Sequence, residues 1–191
     1  MTALILGLLL FLGAHSVRIV AERWRTGQVA RLGERRWKGL VAIVSLAGFA
    51  LIVWGYGTAR MDPVMLWQPP PWTRHLAALL TLPAFVLLAA AYGPANRLRA
   101  AVGHPMVVGV KVWALAHLLA NGRLADVLLF GSFLVWALVD FRSSRRRDAA
   151  AGIQRRRGTL AGDAATLLVG LGAWAAFAFY LHAWLIGVAP L

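Results

Sequence analysis

The chain has 191 residues, of which 60% are hydrophobic and 14% are charged, and its mean hydropathy is +0.69. It has a formal net charge of +13 and no cysteine, which excludes disulfides, thiolate metal sites, cysteine nucleophiles and covalently attached c-type haem. Several membrane spans would use up this length, so we expect a single integral membrane domain over residues 1–191 and no separate soluble domain.

Six apolar segments are each about long enough to cross the hydrocarbon core as a helix, which takes about 20 residues. They cover residues 2–21, 39–57, 75–92, 105–121, 124–141 and 163–188. The segments lack the two-residue alternation of membrane barrel strands, and backbone groups in lipid must bond within the chain. The sequence therefore predicts an all-α transmembrane bundle of six helices. No internal repeat is evident, which disfavours a transporter built of two inverted halves.

The connections between these spans alternate in charge. Fifteen of the 20 Lys and Arg residues lie in the first, third and fifth connections, whereas only Arg60, Arg74 and Arg123 lie in the second and fourth. The positive-inside rule then places the basic connections in the cytoplasm and both termini on the non-cytoplasmic side of a bacterial inner membrane. Because the charge is confined to connections, we expect it to meet anionic lipid headgroups and not nucleic acid.

Local patterns describe three of the connections. We expect residues 22–38 to be basic and partly helical. Residues 61–75 include three successive prolines and cannot be helical throughout, so we expect an interfacial loop there. The arginine-rich segment 142–162 is expected to be a partly disordered loop.

Ionisable side chains within membrane spans are costly and therefore indicate function. The candidates are His15, Arg18, His75, His104, Lys111, His117 and His182. No Asp or Glu lies near the centre of a span, which argues against a proton-driven carrier. Neutral imidazole binds iron well, and two imidazoles on facing helices can hold a haem within a bundle. The competing interpretation is that each histidine only hydrogen-bonds a neighbouring helix or lies at an interface.

Two of these helices present a histidine and a cation on one face. His15 and Arg18 share a face of the first span with Glu22, and His104 shares a face of the fourth span with Lys111. We expect Arg18 and Lys111 either to bind carboxylates, such as those of haem propionates, or to extend to the interface. The fourth span, with the largest set of polar intrusions, is expected to lie centrally and to pack against the first.

The depths of the histidines leave their pairing open. In the predicted topology His15 lies about 10 Å from the cytoplasmic boundary, and His117 lies about 20 Å along its helix from His104. Because two ligands of one iron need similar depths, His15 pairs with His117 only if tilt closes the gap. Otherwise the pairs are His15 with His104 and His75 with His117. His182, near the end of the last span, is expected to be an interface anchor.

Several segments together resemble the NnrU family of membrane proteins over roughly residues 5–148. They include LGAHSVRI, RLGERRWKG, VSLAGFALIVWGYGTAR, LPAFVLLAAAY and HPMVVGVKVWALAHLLANGRLADVLLFGSFLVWALVD. This resemblance implies a role linked to nitrite and nitric oxide reduction in denitrifying bacteria. The family is in turn similar to the 15-cis-zeta-carotene isomerase of plants and cyanobacteria, which implies haem b, a redox or isomerase-like activity, and an apolar or small-molecule substrate.

The same resemblance implies ligands. His15, in an H-S motif, and His117, in an A-H motif, match the proposed axial ligands of the isomerase, and His104 matches its H-P motif. Arg18 and Lys111 would then meet the haem propionates. The isomerase has a cysteine where this chain has Ala114, so a switch between thiolate and imidazole ligands is excluded here.

Two other functions remain as alternatives. One is a non-catalytic membrane accessory that assists assembly of a respiratory complex, with Arg145–Arg147 docking a membrane protein partner. The other is a membrane methyltransferase, because HPMVVG resembles the R-H-P-x-Y-x-G segment of such enzymes. Gly103 stands in place of that arginine, and no matching acidic residue follows, which disfavours the methyltransferase.

Overall fold

The computed structural model describes residues 1–155 and 157–191, and the secondary structure of these residues is helical apart from one isolated bridge between Met65 and Arg123. The helices are α1 (Thr2–Val20), α2 (Glu22–Leu32), α3 (Glu34–Ala59), α4 (Thr73–Tyr92), α5 (Arg97–Val102), α6 (Pro105–Ala120), α7 (Leu124–Ala150), α8 (Leu160–Ala176), a π-helical turn (Phe177–Leu181) and α9 (His182–Ile186). The all-α prediction is confirmed for these residues.

Within the described residues, five helical segments are long and apolar enough to cross a membrane. They are α1, α3, α4, α7 and the continuous run Leu160–Ile186. The predicted fourth span corresponds to α6, which has only 16 residues and is about 24 Å long, shorter than the hydrocarbon core of about 30 Å. The chain is therefore a multi-pass membrane protein with five candidate spans, and six spans remain a prediction.

The charged connections are more helical than expected. Helix α2 occupies the first connection, as predicted, but α7 continues to Ala150, so the loop predicted over 142–162 is wrong for its first nine residues. Within this extension Arg147 donates hydrogen bonds to Ser143 and Ser144, one turn earlier. These contacts give the Arg147 side chain hydrogen-bond partners on its own helix, in the part of α7 that follows the apolar segment. Arg156, which we assigned to the same loop, lies outside the described residues.

The main helices follow one another as neighbours in the order α3, α1, α7, α6, α4 and α8. The prediction that the fourth span packs against the first is wrong, because α7 is the neighbour that α1 and α6 have in common. Glycines bring α1 and α3 especially close. A Cβ added at Gly7 would lie 2.6 Å from the backbone nitrogen of Ile52, and one at Gly48 would lie 2.7 Å from that of Phe11. Small residues of this kind let membrane helices approach closely.

The two ends of the molecule differ in charge. At the basic end, α1, α4 and α7 finish and most of the Arg residues lie; at the other, the His117 end, α3, α6 and α9 finish. The connection after α3 folds over the His117 end, where the backbone nitrogens of Leu66 and Trp67 donate to the carbonyl of Gly122. By the charge rule the basic end is the cytoplasmic one, and this orientation remains a prediction.

Candidate functional site

The His117 imidazole lies half-buried between α6 and α7. Its ring stacks on Phe130 with a centroid separation of 4.5 Å and lies 5.2 Å from the Trp113 ring. Its Nδ1 is 2.8 Å from the carbonyl oxygen of Trp113. A carbonyl only accepts, so Nδ1 carries the proton and the lone pair of a neutral imidazole is on Nε2. Metal-binding histidines are oriented by the same kind of hydrogen bond.

His15 repeats this arrangement on α1. Its Nδ1 lies 2.7 Å from the carbonyl oxygen of Phe11, and the two rings stack at 4.4 Å. The side chain is exposed on the helix surface, next to the edge of Trp136 at 6.1 Å. The Nε2 lone pair of His15 is therefore also free to bind a ligand.

The depths of these two histidines can be compared through the α7 residues that they contact. His117 contacts Phe130, and His15 contacts Trp136, six residues further along α7. Six residues correspond to about 9 Å of helical rise. The rings between the two histidines are those of Phe11, Phe133 and Trp113, with successive centroids 5.7 and 5.6 Å apart. Two imidazoles on one iron, with each bond about 2 Å long, need nearly equal depth, so the described arrangement does not bring this pair to one iron.

His104 is tied to the basic end. Its Nε2 lies 2.9 Å from Oδ2 of Asp148, and Arg155 donates to the same oxygen. The cluster joins the start of α6 to the last turn of α7 and to the segment that follows it. This nitrogen is engaged in a hydrogen bond with a carboxylate, so His104 has a structural role, and its role as a substitute ligand stays a prediction.

The two cations expected near a cofactor have partners of their own. Arg18 lies with its Nε 3.5 Å from the carboxylate of Glu22 on a largely exposed face. The Lys111 ammonium lies 3.5 Å from the centre of the Phe141 ring, a cation–π contact between α6 and α7. A role for either cation in binding propionates stays a prediction.

Asp126 lies near the end of a predicted span and was not a candidate site residue, but in the structure its side chain is buried. Its exposure is 1%, and its Oδ1 accepts a hydrogen bond of 2.5 Å from the hydroxyl of Tyr56. Its Oδ2 accepts a second, of 3.1 Å, from the backbone nitrogen of Arg123. An Asp at the third position of α7 is the signal that would have indicated this capping role, since its carboxylate can accept from the backbone nitrogen that precedes the helix.

His182 also lies in an ordered local structure and not on a simple helix. The preceding π-helical turn is closed by the backbone nitrogen of His182, which donates to the carbonyl of Phe177. After α9 the chain reverses at Gly187, with φ of 76°, and the Val188 carbonyl lies 2.6 Å from Nδ1 of His182. The Nε2 lone pair of His182 is therefore free, as in His15 and His117.

These elements place His182 on the side of the molecule where His117 lies. Arg60, at the end of α3, donates to the carbonyl of Ile186 over 2.8 Å and so holds α9 against that end. At the same end Tyr56, which donates to Asp126, contacts the Phe130 ring on which His117 stacks. We refer to Tyr56, Arg60, His117, Asp126 and His182 as the outer polar cluster. Its members lie at the same end of the molecule as His117, the predicted ligand.

The donor set suits a haem better than a bare metal ion. Among residues 1–155 and 157–191, no group of three or more His, Cys, Asp or Glu side chains is placed to hold a metal ion. An iron already held by a porphyrin needs only one or two axial ligands, and an imidazole with a free Nε2 and a fixed Nδ1 is a suitable one. His117 meets this requirement within the apolar part of the molecule.

Two of the surface clefts formed by the described residues are large enough for a small molecule. One of about 450 Å³ lies between α4 and α8, and one of about 340 Å³ lies at the start of α6 beside Arg99 and His104. Neither is lined by His15 or His117.

A family model described as NnrU protein matches residues 3–190 of the chain. No curated protein and no solved structure matches it.

Proposed function

The chain belongs to the NnrU family, and we propose that it is a haem-b-binding protein of the bacterial inner membrane with a redox or isomerase-like activity linked to nitrite and nitric oxide reduction. Haem bound there would supply one-electron chemistry at its iron. The orientation with the basic end in the cytoplasm, in contact with anionic lipid headgroups, is part of the proposal.

The observation that supports this proposal best is the state of the His117 side chain. A histidine within the apolar part of a membrane protein is costly unless it has a partner. His117 uses only Nδ1 within the described structure, toward the carbonyl of Trp113, and leaves the nitrogen that binds iron free. The rings of Trp113 and Phe130 flank it and exclude water from that side.

We propose His117 as the first axial ligand. The second is His15, as the resemblance implies, or His182, which shares the outer polar cluster with His117. The roughly 9 Å between the depths of His15 and His117 favours His182 in the arrangement described above. Lys111 remains a proposed partner of the propionates and would have to leave Phe141 to reach them. Arg18, which would have to leave Glu22, lies about 4.5 Å further toward the basic end than His15 and therefore suits only a haem held by His15.

The test is the absorption of the intact protein, purified in detergent from cells supplied with a haem precursor. We expect a Soret band and, after reduction with dithionite, the sharp visible bands of a bis-imidazole haem b. A colourless preparation that is folded and monodisperse would contradict the proposal. Retention of haem by the Asp62→Asn variant serves as a control, because Asp62 is exposed in the connection after α3 and is not a candidate ligand.

A non-catalytic accessory role is the second candidate, supported by the shape of α7. This helix has 27 residues and is about 40 Å long, so it extends about 10 Å beyond a hydrocarbon core of about 30 Å. The extension exposes Arg145 and Arg146, whereas Arg147 is engaged with serines of the preceding turn. Charges on a rigid helical extension suit an acidic surface of a membrane protein partner.

Charge substitutions on this extension separate the two candidates. An accessory predicts that Arg145→Gln with Arg146→Gln abolishes co-purification of a partner while the variant inserts normally. The matched control is Arg31→Gln with Arg35→Gln, two basic residues from the first connection. Equal co-purification of both double variants would contradict a docking role for α7.

A further inference from the structure

The cleft between α4 and α8 is held open by contacts on either side of it. Toward the His117 end, Trp174 donates its indole hydrogen to the carbonyl of Ala78 at 3.1 Å. Between the two ends the helices touch at Gly170, where an added Cβ would lie 2.7 Å from Cα of Val86. Toward the basic end, the backbone nitrogen of Thr159 donates to the carbonyl of Ala95 at 3.1 Å. The cleft is thus built into the packing of the two helices.

The lining of this cleft is apolar and uncharged. Helix α4 contributes Phe85, Leu88 and Tyr92, and α8 contributes Val169 and Ala173 on one face. Its volume of about 450 Å³ lies within the range of small-molecule sites, and along the helices it extends about 10 Å inward from the basic end. No charged side chain lines it, so it offers nothing to a phosphate headgroup. An uncharged molecule dissolved in the bilayer suits it.

One polar atom in the lining has no partner. The hydroxyl of Thr166 is buried, with the residue 2% exposed, and makes no hydrogen bond to any described residue. An added Cβ at Gly93 would lie 3.7 Å from this oxygen, so glycine keeps the space beside it free. A buried hydroxyl without a partner is uncommon in proteins, and because this one borders the cleft, a molecule bound there can satisfy it.

We propose that the α4–α8 cleft binds a neutral, lipid-soluble molecule whose single carbonyl or hydroxyl group hydrogen-bonds to Thr166 and whose apolar body lies along Phe85, Leu88 and Val169. The proposal goes beyond haem binding and does not depend on it. The cleft opens toward the bilayer near the basic end, so the ligand reaches it by lateral diffusion in the membrane. Thr166 sets the position of the polar end, because it is the free hydroxyl in the lining.

The test measures binding to the full-length protein in nanodiscs of zwitterionic phospholipid. The probes are a long-chain methyl ketone, a primary alcohol of the same chain length and the corresponding alkane. They distinguish carbonyl from hydroxyl ligands and both from plain hydrocarbon. We expect one or both polar probes to bind at one site per chain, and the alkane to bind at least about tenfold more weakly. Equal affinity for alkane and polar probes would overturn the proposal, because a groove for lipid chains has no need of Thr166.

Two variants locate the site. Thr166→Val keeps the shape and removes the hydroxyl, and we expect it to weaken binding of the polar probe about tenfold without changing alkane binding. Ser45→Ala on α3 is the matched control, since it removes another buried hydroxyl that has no partner in the described residues. Ala173→Leu fills the cleft and should weaken every probe. Unchanged affinity in Thr166→Val would overturn the assignment, and the Soret band of each variant reports separately on haem.

Discussion

The Tyr56 hydroxyl donates a hydrogen bond of 2.5 Å to the buried carboxylate of Asp126 and so joins the last turn of α3 to the first turn of α7. The two residues lie far apart in the sequence, and their contact fixes the His117 end of the molecule. The edge of the Tyr56 ring also meets Phe130, the residue on which His117 stacks, at 6.4 Å. The pair therefore contacts the same ring on which the proposed ligand stacks.

Removing the hydroxyl should cost stability. In Tyr56→Phe the buried carboxylate of Asp126 loses one of its two donors, and we expect a loss of about 1–3 kcal/mol. Thermal unfolding in detergent measures this change. The matched control is Tyr180→Phe, because Tyr180 is exposed on the π-helical turn. Equal melting temperatures for the two variants would show that the hydrogen bond contributes nothing.

The close approach of α1 and α3 gives a second prediction. An added Cβ at Gly55 would overlap the backbone of Leu4, whereas nothing lies within 4 Å of one added at Gly57, two residues along the same helix. We expect Gly55→Ala to destabilise the protein by about 1–3 kcal/mol through overpacking, while Gly57→Ala is neutral or slightly stabilising. The same melting experiment compares them, and a Gly55→Ala protein as stable as Gly57→Ala would contradict the described packing.

The ion cluster at the basic end should protect the segment after α7. Asp148 accepts from both His104 and Arg155, so Asp148→Asn weakens both contacts at once. We expect severalfold faster tryptic cleavage within residues 151–159 in this variant. Asp62→Asn, in the connection over the opposite end, is the control. Cleavage rates that match between the two variants would rule out a protective role for the cluster.

Hydropathy located the membrane helices well but not the ends of all of them. The predicted fourth span ends at 121 and α6 ends at Ala120, whereas the predicted fifth ends at 141 and α7 continues to Ala150. Hydropathy reports where apolar residues stop, and the Ser and Arg residues that follow form helix equally well in water. The helix therefore continues past the apolar segment.

The site was harder to predict because it depends on contacts between distant residues. Tyr56 and Asp126 are 70 residues apart, and without an observed contact each looked like an ordinary residue near a helix end. His182 lies near the end of the last span, and from the sequence alone that position indicates an interface anchor. The π-helical turn at Phe177–Leu181 shifts the helical register, so it changes the face on which His182 lies. Helix propensity alone does not reveal such a turn.

The choice of second ligand is a prediction in its own right. In the described arrangement His182 belongs to the outer polar cluster, and His15 lies about 9 Å deeper. We therefore expect His182→Ala to convert a low-spin six-coordinate haem into a high-spin five-coordinate one, while His15→Ala leaves the spectrum unchanged. Electron paramagnetic resonance of the oxidised proteins distinguishes the two spin states. The reverse result, a change in His15→Ala alone, would restore the pair implied by the family resemblance.

The most direct measurement of the central claim is the haem content of His117→Ala compared with the unaltered protein. Both are purified from haem-supplied cells, and bound haem is counted per chain by pyridine haemochrome. We predict close to one haem per chain in the unaltered protein and a loss of most of it in His117→Ala, with insertion and monodispersity retained. Equal haem content in the two proteins, or no haem in either, would contradict the claim that His117 is a haem ligand.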